Sequence, residues 1–373
     1  MKNQIHNEKA PTPLPEKKRF RKRSHVPLSI FAYTMKNAQA TIRDLALKLD
    51  ISISTVSRAL RNAPDVNPET KKAVHELAQK LNYEPNRVAQ SLRIKKTNTI
   101  GIVVPEIAMH FFSSFISGAQ EYAAGHGYSI MICQSMETMK TEISNIHMLV
   151  ANRVDGLLIS LSSETTSIDH LEQLQAKRIP VVLFDRVSDK LDVSKVVVDD
   201  YDGAFKLASH LIRTGCKRIA YLGGPENLYV NQQRFRGYQD ALKKHNVPLD
   251  QSLIINNEDL HDAPIAGTNA LLDLPQLPDA IFCMNDPLAI KAMQVLKSRG
   301  IKIPDEISIT GFSNEPVSQF IEPSLTTVAQ PANLMGQTAA QLFIEQVETK
   351  EDYQPITKVL ATELIIRNST RRI

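Results

Sequence analysis

Ile53, Ser54, Ser57 and Arg58 put two hydroxyls, one apolar side chain and one guanidinium fork within six residues. Such groups read nucleic acid: hydroxyls bond phosphates or base edges, an apolar chain touches a thymine methyl, and arginine bonds guanine bidentately. They need a rigid element whose other side is buried. Val56, Ala59 and Leu60 supply that side, and Ser52 is placed to cap the helix start. Upstream, Ile42, Leu45, Ala46 and Leu49 follow the i, i+3, i+4, i+7 spacing of one buried helical face. Thr41 with Asp44 three residues on forms a capping-box-like start. A short break at Asp50 and Ile51 separates the two helices. This is the layout of a helix-turn-helix, whose second helix enters the major groove by its N-terminus. A plain two-helix corner in a small helical domain has the same spacing.

The charge distribution favours the DNA reading. Residues 1–34 hold eight Lys and Arg against two acids, residues 35–97 twelve against six, and the remainder 24 against 32. Basic charge is gathered at the end that carries the two helices, where phosphates would be neutralised. Residues 1–39 are expected to be a disordered basic tail, since the run from Glu16 to Arg23 is too charged to pack. A third helix is predicted to begin at Asn67 and Pro68, a cap followed by proline at the first helical position, with Val74, Leu77, Ala78 and Leu81 inward. That sets a headpiece over 40–84. Asn86 to Leu92 is too short and too polar for a helix of its own, so 85–97 reads as a linker.

From Ile100 on, apolar runs alternate with amphipathic helices. The runs are 100–105, 128–133, 155–160, 181–185, 195–199, 218–223, 253–256, 280–285 and 307–312. Near-continuous apolar strands between helices indicate parallel sheets covered on both faces, and so many units suggest two doubly wound lobes over 98–373. Ligands of such sheets bind beyond the carboxyl ends of the strands. Phe111, Phe112, Asp185, Asn285, Asp286 and Ser313 stand at such ends, and Arg234 lies on the helix after the sixth run. Two aromatic faces, a guanidinium and several amide, hydroxyl or carboxylate groups suit a carbohydrate or nucleoside. Each residue taken singly also fits an ordinary core or capping role.

The succession from Thr41 to Asn62, then Val66 to Thr70, Leu81 to Leu92 and Thr97 to Pro105, resembles the LacI/GalR family of bacterial transcription regulators over about residues 40–373. The resemblance implies a helix-turn-helix headpiece joined to a periplasmic-binding-protein-like core, with the chain crossing between lobes near Val198, near Val328 and near residue 352. It implies that Thr41, Ser52, Ile53, Ser54, Thr55, Ser57, Arg58, Asn62 and Tyr83 face DNA. It further implies that a hinge helix brings Asn86, Arg87, Ala89, Gln90 and an intercalating Leu92 to the minor groove. Arg234 would clamp an effector. The family usually has glycine where this chain has Asp50, and often aspartate where it has Ser313. A positive φ at Asp50 would cost on the order of 1 kcal/mol.

Catalytic alternatives lack support: there is no G-x-S-x-G elbow, G-x-G-x-x-G, P-loop or H-E-x-x-H. Cys133, Cys216 and Cys283 cannot all pair and lack zinc spacing, so they read as buried thiols of a reducing compartment. No cofactor or metal is expected. No apolar run reaches the ~20 residues of a membrane span, and the basic, proline-rich start is no export signal. The reading is a cytoplasmic, homodimeric, effector-controlled repressor on a pseudo-palindromic operator, not an enzyme. An activator of the same family, a transporter's solute-binding protein and a two-lobed enzyme are the alternatives. Two further expectations concern the ends: Met35 as the start, with residues 1–34 dispensable for specific binding, and a dimer, because no apolar heptad follows Arg367.

Overall fold

The computed structural model describes residues 40–83, 96–257, 263–349 and 353–371. The linker candidates Asn86, Arg87, Ala89, Gln90 and Leu92, and the tail 1–39, lie outside the described residues. The chain divides between residues 93 and 94 into two compact units.

In the first unit, α1 (Ile42–Leu49), α2 (Ile53–Ala59) and α3 (Pro68–Lys80) enclose Leu45, Ala46, Val56, Ala59, Val66, Val74 and Ala78. Leu60, Leu77 and Leu81, expected inside, are only half-buried because three such short helices enclose little volume. Thr41 and Asp44 close a full capping box: Asp44 N donates to Thr41 Oγ1 at 3.4 Å and Thr41 N to Asp44 Oδ2 at 2.8 Å. Asp50 ends α1 at φ 50° and ψ 43°, the left-handed conformation anticipated for the turn.

The second unit holds two sheets. The first has six parallel strands in the order β11-β5-β4-β3-β1-β2: β1 (Thr99–Val104), β2 (Ser129–Gln134), β3 (Gly156–Ile159), β4 (Val181–Phe184), β5 (Ser194–Val198) and β11 (Thr357–Leu360). Alternate residues of its strands serve two cores. Ile100, Ile102, Leu158 and Val196 face α4 (His110–Gly125) and α11 (Ala332–Thr349), while Val103, Leu157, Ile159 and Val197 face α5 (Met139–Ala151) and α6 (Asp169–Ala176). Burial on both faces is why the inner strands β1, β3, β4 and β5 read as apolar runs. Helices α4 and α11 meet at Gly118 and Gly336, where an added Cβ would collide with the Asn333 and Phe115 carbonyls.

The second sheet is parallel in the order β7-β6-β8-β9, from β6 (Ile219–Gly223), β7 (Ile254–Asn256), β8 (Ala280–Cys283) and β9 (Ser308–Thr310). Ala220, Leu222 and Ile281 face α9 (Ala263–Leu272) and α10 (Asp286–Ser298). Ile219, Tyr221 and Phe282 face α7 (Asp200–Arg213) and α8 (Tyr229–Lys244). An antiparallel ribbon pairs β10 (Thr327–Ala329) with β12 (Glu363–Ile365).

All nine apolar runs contain strands. The crossings after Val198 and after Ala329 fall where expected, since β5 belongs to the first lobe and α7 to the second, and β10 precedes the first-lobe helix α11. The third is displaced: β11 pairs with β5 in the first lobe and β12 with β10, so the chain crosses between Leu360 and Glu363, not near residue 352. Cys133, Cys216 and Cys283 are buried free thiols, each pushed up in pKa by burial.

Candidate functional site

In the first unit, Ser52 Oγ accepts from Thr55 N at 3.1 Å and so fixes the start of α2. Its hydroxyl also bonds Ser54 Oγ at 2.7 Å and Thr55 Oγ1 at 2.8 Å, orienting both short side chains. With Val56 and Ala59 wholly buried, Ile53, Ser54 and Arg58 are exposed and Ser57 is half-exposed. Arg58 forms an ion pair with Asp65, both side chains being about half exposed. Such a pair contributes ~0.2–1 kcal/mol, so it yields readily to a competing acceptor. Asn62 bonds His75 across 3.2 Å. Tyr83 is half-buried against the helical core, and burial raises its phenol pKa.

In the second unit, Phe111, Phe112, Asp185, Arg234, Asn285 and Ser313 line one cleft, together with Met109, Arg186, Val230, Met284 and Gln330. The sheet architecture brings them together. Phe111 and Phe112 open α4, meeting edge to face at 5.2 Å. Asp185 closes β4 at φ 55°. Asn285 caps α10, accepting from Leu288 N at 2.9 Å. Ser313 stands after β9 at φ 127°, a conformation L residues rarely adopt, held by its N–H on Val328 O at 2.8 Å.

Arg234 is the most constrained group. Its Nε and Nη2 bond the same Asp200 oxygen at 2.8 and 2.7 Å, Nη1 donates to Met284 O at 2.8 Å, and its guanidinium lies 3.8 Å from the centre of the Phe312 ring. Burial pushes the Asp200 carboxyl up to about 6 despite Arg234. Burial likewise raises Asp185, against the opposing pull of Arg186 and Arg234. Arg186 donates through Nη1 to Glu137 Oε2 at 2.6 Å. Burial would raise Glu137, but the Arg186 charge and hydrogen bond and the Ser163 N–H hold it below its ordinary value.

Asp286 is a correction: it does not line the cleft. It is fully buried and accepts from Ser318 Oγ at 2.6 Å, Glu315 N at 2.8 Å and Thr327 Oγ1 at 2.5 Å, so both oxygens are committed to tying down the loop after β9.

Hydrogen bonds join the lobes beside the cleft: His110 N donates to Glu315 Oε2 at 3.3 Å, and Asn227 Nδ2 to Ser163 O at 2.9 Å and Thr165 O at 3.4 Å. The free space between them is about 30 Å³, enough for about one or two water molecules. A molecule the size of a sugar or nucleoside does not fit this space.

The family described as bacterial regulatory proteins, lacI family, matches residues 41–86. The family described as periplasmic binding proteins and sugar binding domain of LacI family matches residues 97–367. The chain belongs to the LacI family. The HTH-type transcriptional repressor CytR of Escherichia coli (strain K12) is 33% identical over 334 residues, covering 90% of this chain and 97% of that protein. The HTH-type transcriptional repressor PurR of Actinobacillus pleuropneumoniae serotype 3 (strain JL03) is 31% identical over 337 residues, covering 90% and 99%. Among solved structures, the lac repressor dimer bound to operator and the anti-inducer ONPF superposes with a TM-score of 0.79 at 25% identity, covering 90% and 100%. The transcriptional regulator CelR–cellobiose complex superposes at 0.67 and 27% identity, covering 88% and 99%.

Within this LacI-family core, sequence reasoning missed Met109, Arg186, Val230, Met284 and Gln330 as cleft residues. Arg186 carried a signal, being a cation directly after the strand-closing Asp185. Gln330 carried none that was used, because the three-residue strand before it has no apolar run to announce it. Among the described residues, no helix is long and apolar enough to cross a membrane.

Proposed function

We propose that this LacI-family chain is a cytoplasmic, homodimeric transcriptional repressor whose affinity for a pseudo-palindromic DNA operator is set by a carbohydrate or nucleoside bound in the core cleft. Residues 40–84 are the DNA-binding headpiece, 85–97 the hinge, 98–373 the effector-binding and dimerisation core, and 1–39 a basic tail. Ile53, Ser54, Ser57 and Arg58 read the major groove. Thr41, Ser52, Thr55, Asn62 and Tyr83 position the headpiece on the backbone. Asn86, Arg87, Ala89, Gln90 and Leu92 engage the minor groove. Phe111, Phe112, Asp185, Arg234, Asn285 and Ser313 hold the effector. The names of the relatives support repression, and the operator-bound and cellobiose-bound structures support the two partners.

The observation that carries the reading is the recognition helix: a capped α2 with Val56 and Ala59 at 0% exposure on one side and Ile53 at 45% on the other. A helix so placed offers base-reading groups on a fixed platform. Selection from random duplex DNA by the full chain should enrich two inverted half-sites. Recovery of no sequence preference at physiological salt would overturn the reading. An activator uses the same contacts, and the position of the selected site relative to a promoter separates the two.

A further inference from the structure

The cleft is lined by two cationic side chains among the described residues, and both are already matched. Arg234 is held by Asp200 and Arg186 by Glu137, at 2.6–2.8 Å. A third anion-receptive feature is the N-terminus of the 16-residue α4, whose N-cap Met109 offers no side-chain cap. It is occupied too: Glu315, from the opposite lobe, accepts from His110 N at 3.3 Å. Asp185 adds a further buried carboxyl within the influence of both arginines, with the Gln330 amide beside it. Four carboxyls thus face two guanidiniums and one helix end.

We propose, on the effector-site reading given above, that the cleft selects an uncharged, hydroxyl- or amide-bearing ligand and rejects phosphorylated or carboxylated ones, with Glu137, Asp200 and Glu315 as the residues that set this selectivity. Among the described residues an incoming phosphate would meet no unmatched guanidinium in the cleft and would stand beside carboxylates in a poorly screened interior, where like charges repel strongly. A neutral ligand meets the opposite situation. Arg234 spends three of its five N–H donors on Asp200 and Met284 and keeps two for a ligand hydroxyl or carbonyl. Asp185 and the Asn285 and Gln330 amides supply acceptors and further donors around the two phenyl faces.

The test uses the full chain and its melting temperature. Ribose, glucose, uridine and adenosine are compared with ribose 5-phosphate, glucose 6-phosphate and the two nucleoside 5′-monophosphates at matched ionic strength. Val230→Trp, whose indole would take the place of a ligand when the cleft opens, is the control for site. Stabilisation by a neutral compound but not its phosphate, lost in Val230→Trp, is the expected result. Stabilisation by a phosphorylated compound that is lost in Val230→Trp overturns the charge selectivity and leaves the cleft reading standing. Ligand stabilisation that survives Val230→Trp overturns both. A second arm needs no identified ligand: Glu137→Gln frees the Arg186 charge, and Glu315→Gln serves if that variant does not fold. Inorganic phosphate should raise the variant's melting temperature more than the wild type's, and this gain should vanish when Val230→Trp is added. An equal response in variant and wild type overturns the proposal, including when no organic compound has stabilised either protein.

Discussion

Arg234 grips Asp200 through two nitrogens on a single oxygen, with both side chains at least 96% buried, while the other Asp200 oxygen is buried without a hydrogen-bond partner. The pair joins α8 to the start of α7 beneath the cleft, so the proposed ligand clamp is also a structural strut. Removing one partner of a buried pair leaves an uncompensated charge, which costs about 3–5 kcal/mol. Arg234→Ala should therefore lower the unfolding free energy of the core by that order and abolish the ligand response. Arg234→Ala with Asp200→Asn should regain part of the loss. Denaturant melts of the single and double variants check this, and strict additivity would contradict the strut.

The same pair gives a pH prediction. The Asp200 pKa is raised from 3.8 to about 6 in the folded chain, so the folded state holds its proton more tightly than the unfolded state. This contribution to stability is fully present below pH 3.8 and is lost as pH rises through about 6. Wild-type stability minus that of Asp200→Asn should fall between those limits. Urea melts of both proteins at several pH values within that window measure the difference.

On the proposed reading, Arg58 exchanges its exposed Asp65 partner for guanine. Arg58→Ala should cost about 1–3 kcal/mol of discrimination at one position of each half-site. Titration with operators altered at single positions, at one fixed salt concentration, would show a flat response at that position.

Gly118 and Gly336 let α4 and α11 touch backbone to backbone. Alanine at either position should destabilise the core by about 1–3 kcal/mol through overpacking, with the headpiece unfolding at its usual denaturant concentration. Separate spectroscopic probes in the two units would resolve this.

How legible all this was in the sequence depended on burial. Strands such as Ile100 to Val104, packed on both faces, could be seen as apolar runs. β11 could not, because its residues are largely exposed at the sheet edge, with Val359 at 58%. The turn at Asp50 and the caps at Thr41, Ser52 and Asn67 were legible, since capping is local chemistry. The cleft was legible only in part. Strand ends pointed to Asp185, Asn285 and Ser313, but adjacency could not tell Asn285 from Asp286, of which one caps a helix at the rim and the other turns into the loop. The carboxylate partners of the arginines lie 34 and 49 residues from them in the chain, a distance no local pattern spans.

On the proposed function, a ligand in the core controls DNA affinity in the headpiece. The most direct measurement is the affinity of the full chain for its selected operator, by fluorescence anisotropy at fixed salt, with and without a saturating neutral ligand that stabilises the wild type but not Val230→Trp. Coupling of about 1–3 kcal/mol predicts a 5- to 150-fold change in operator affinity. An unchanged operator affinity with the ligand bound would contradict the account.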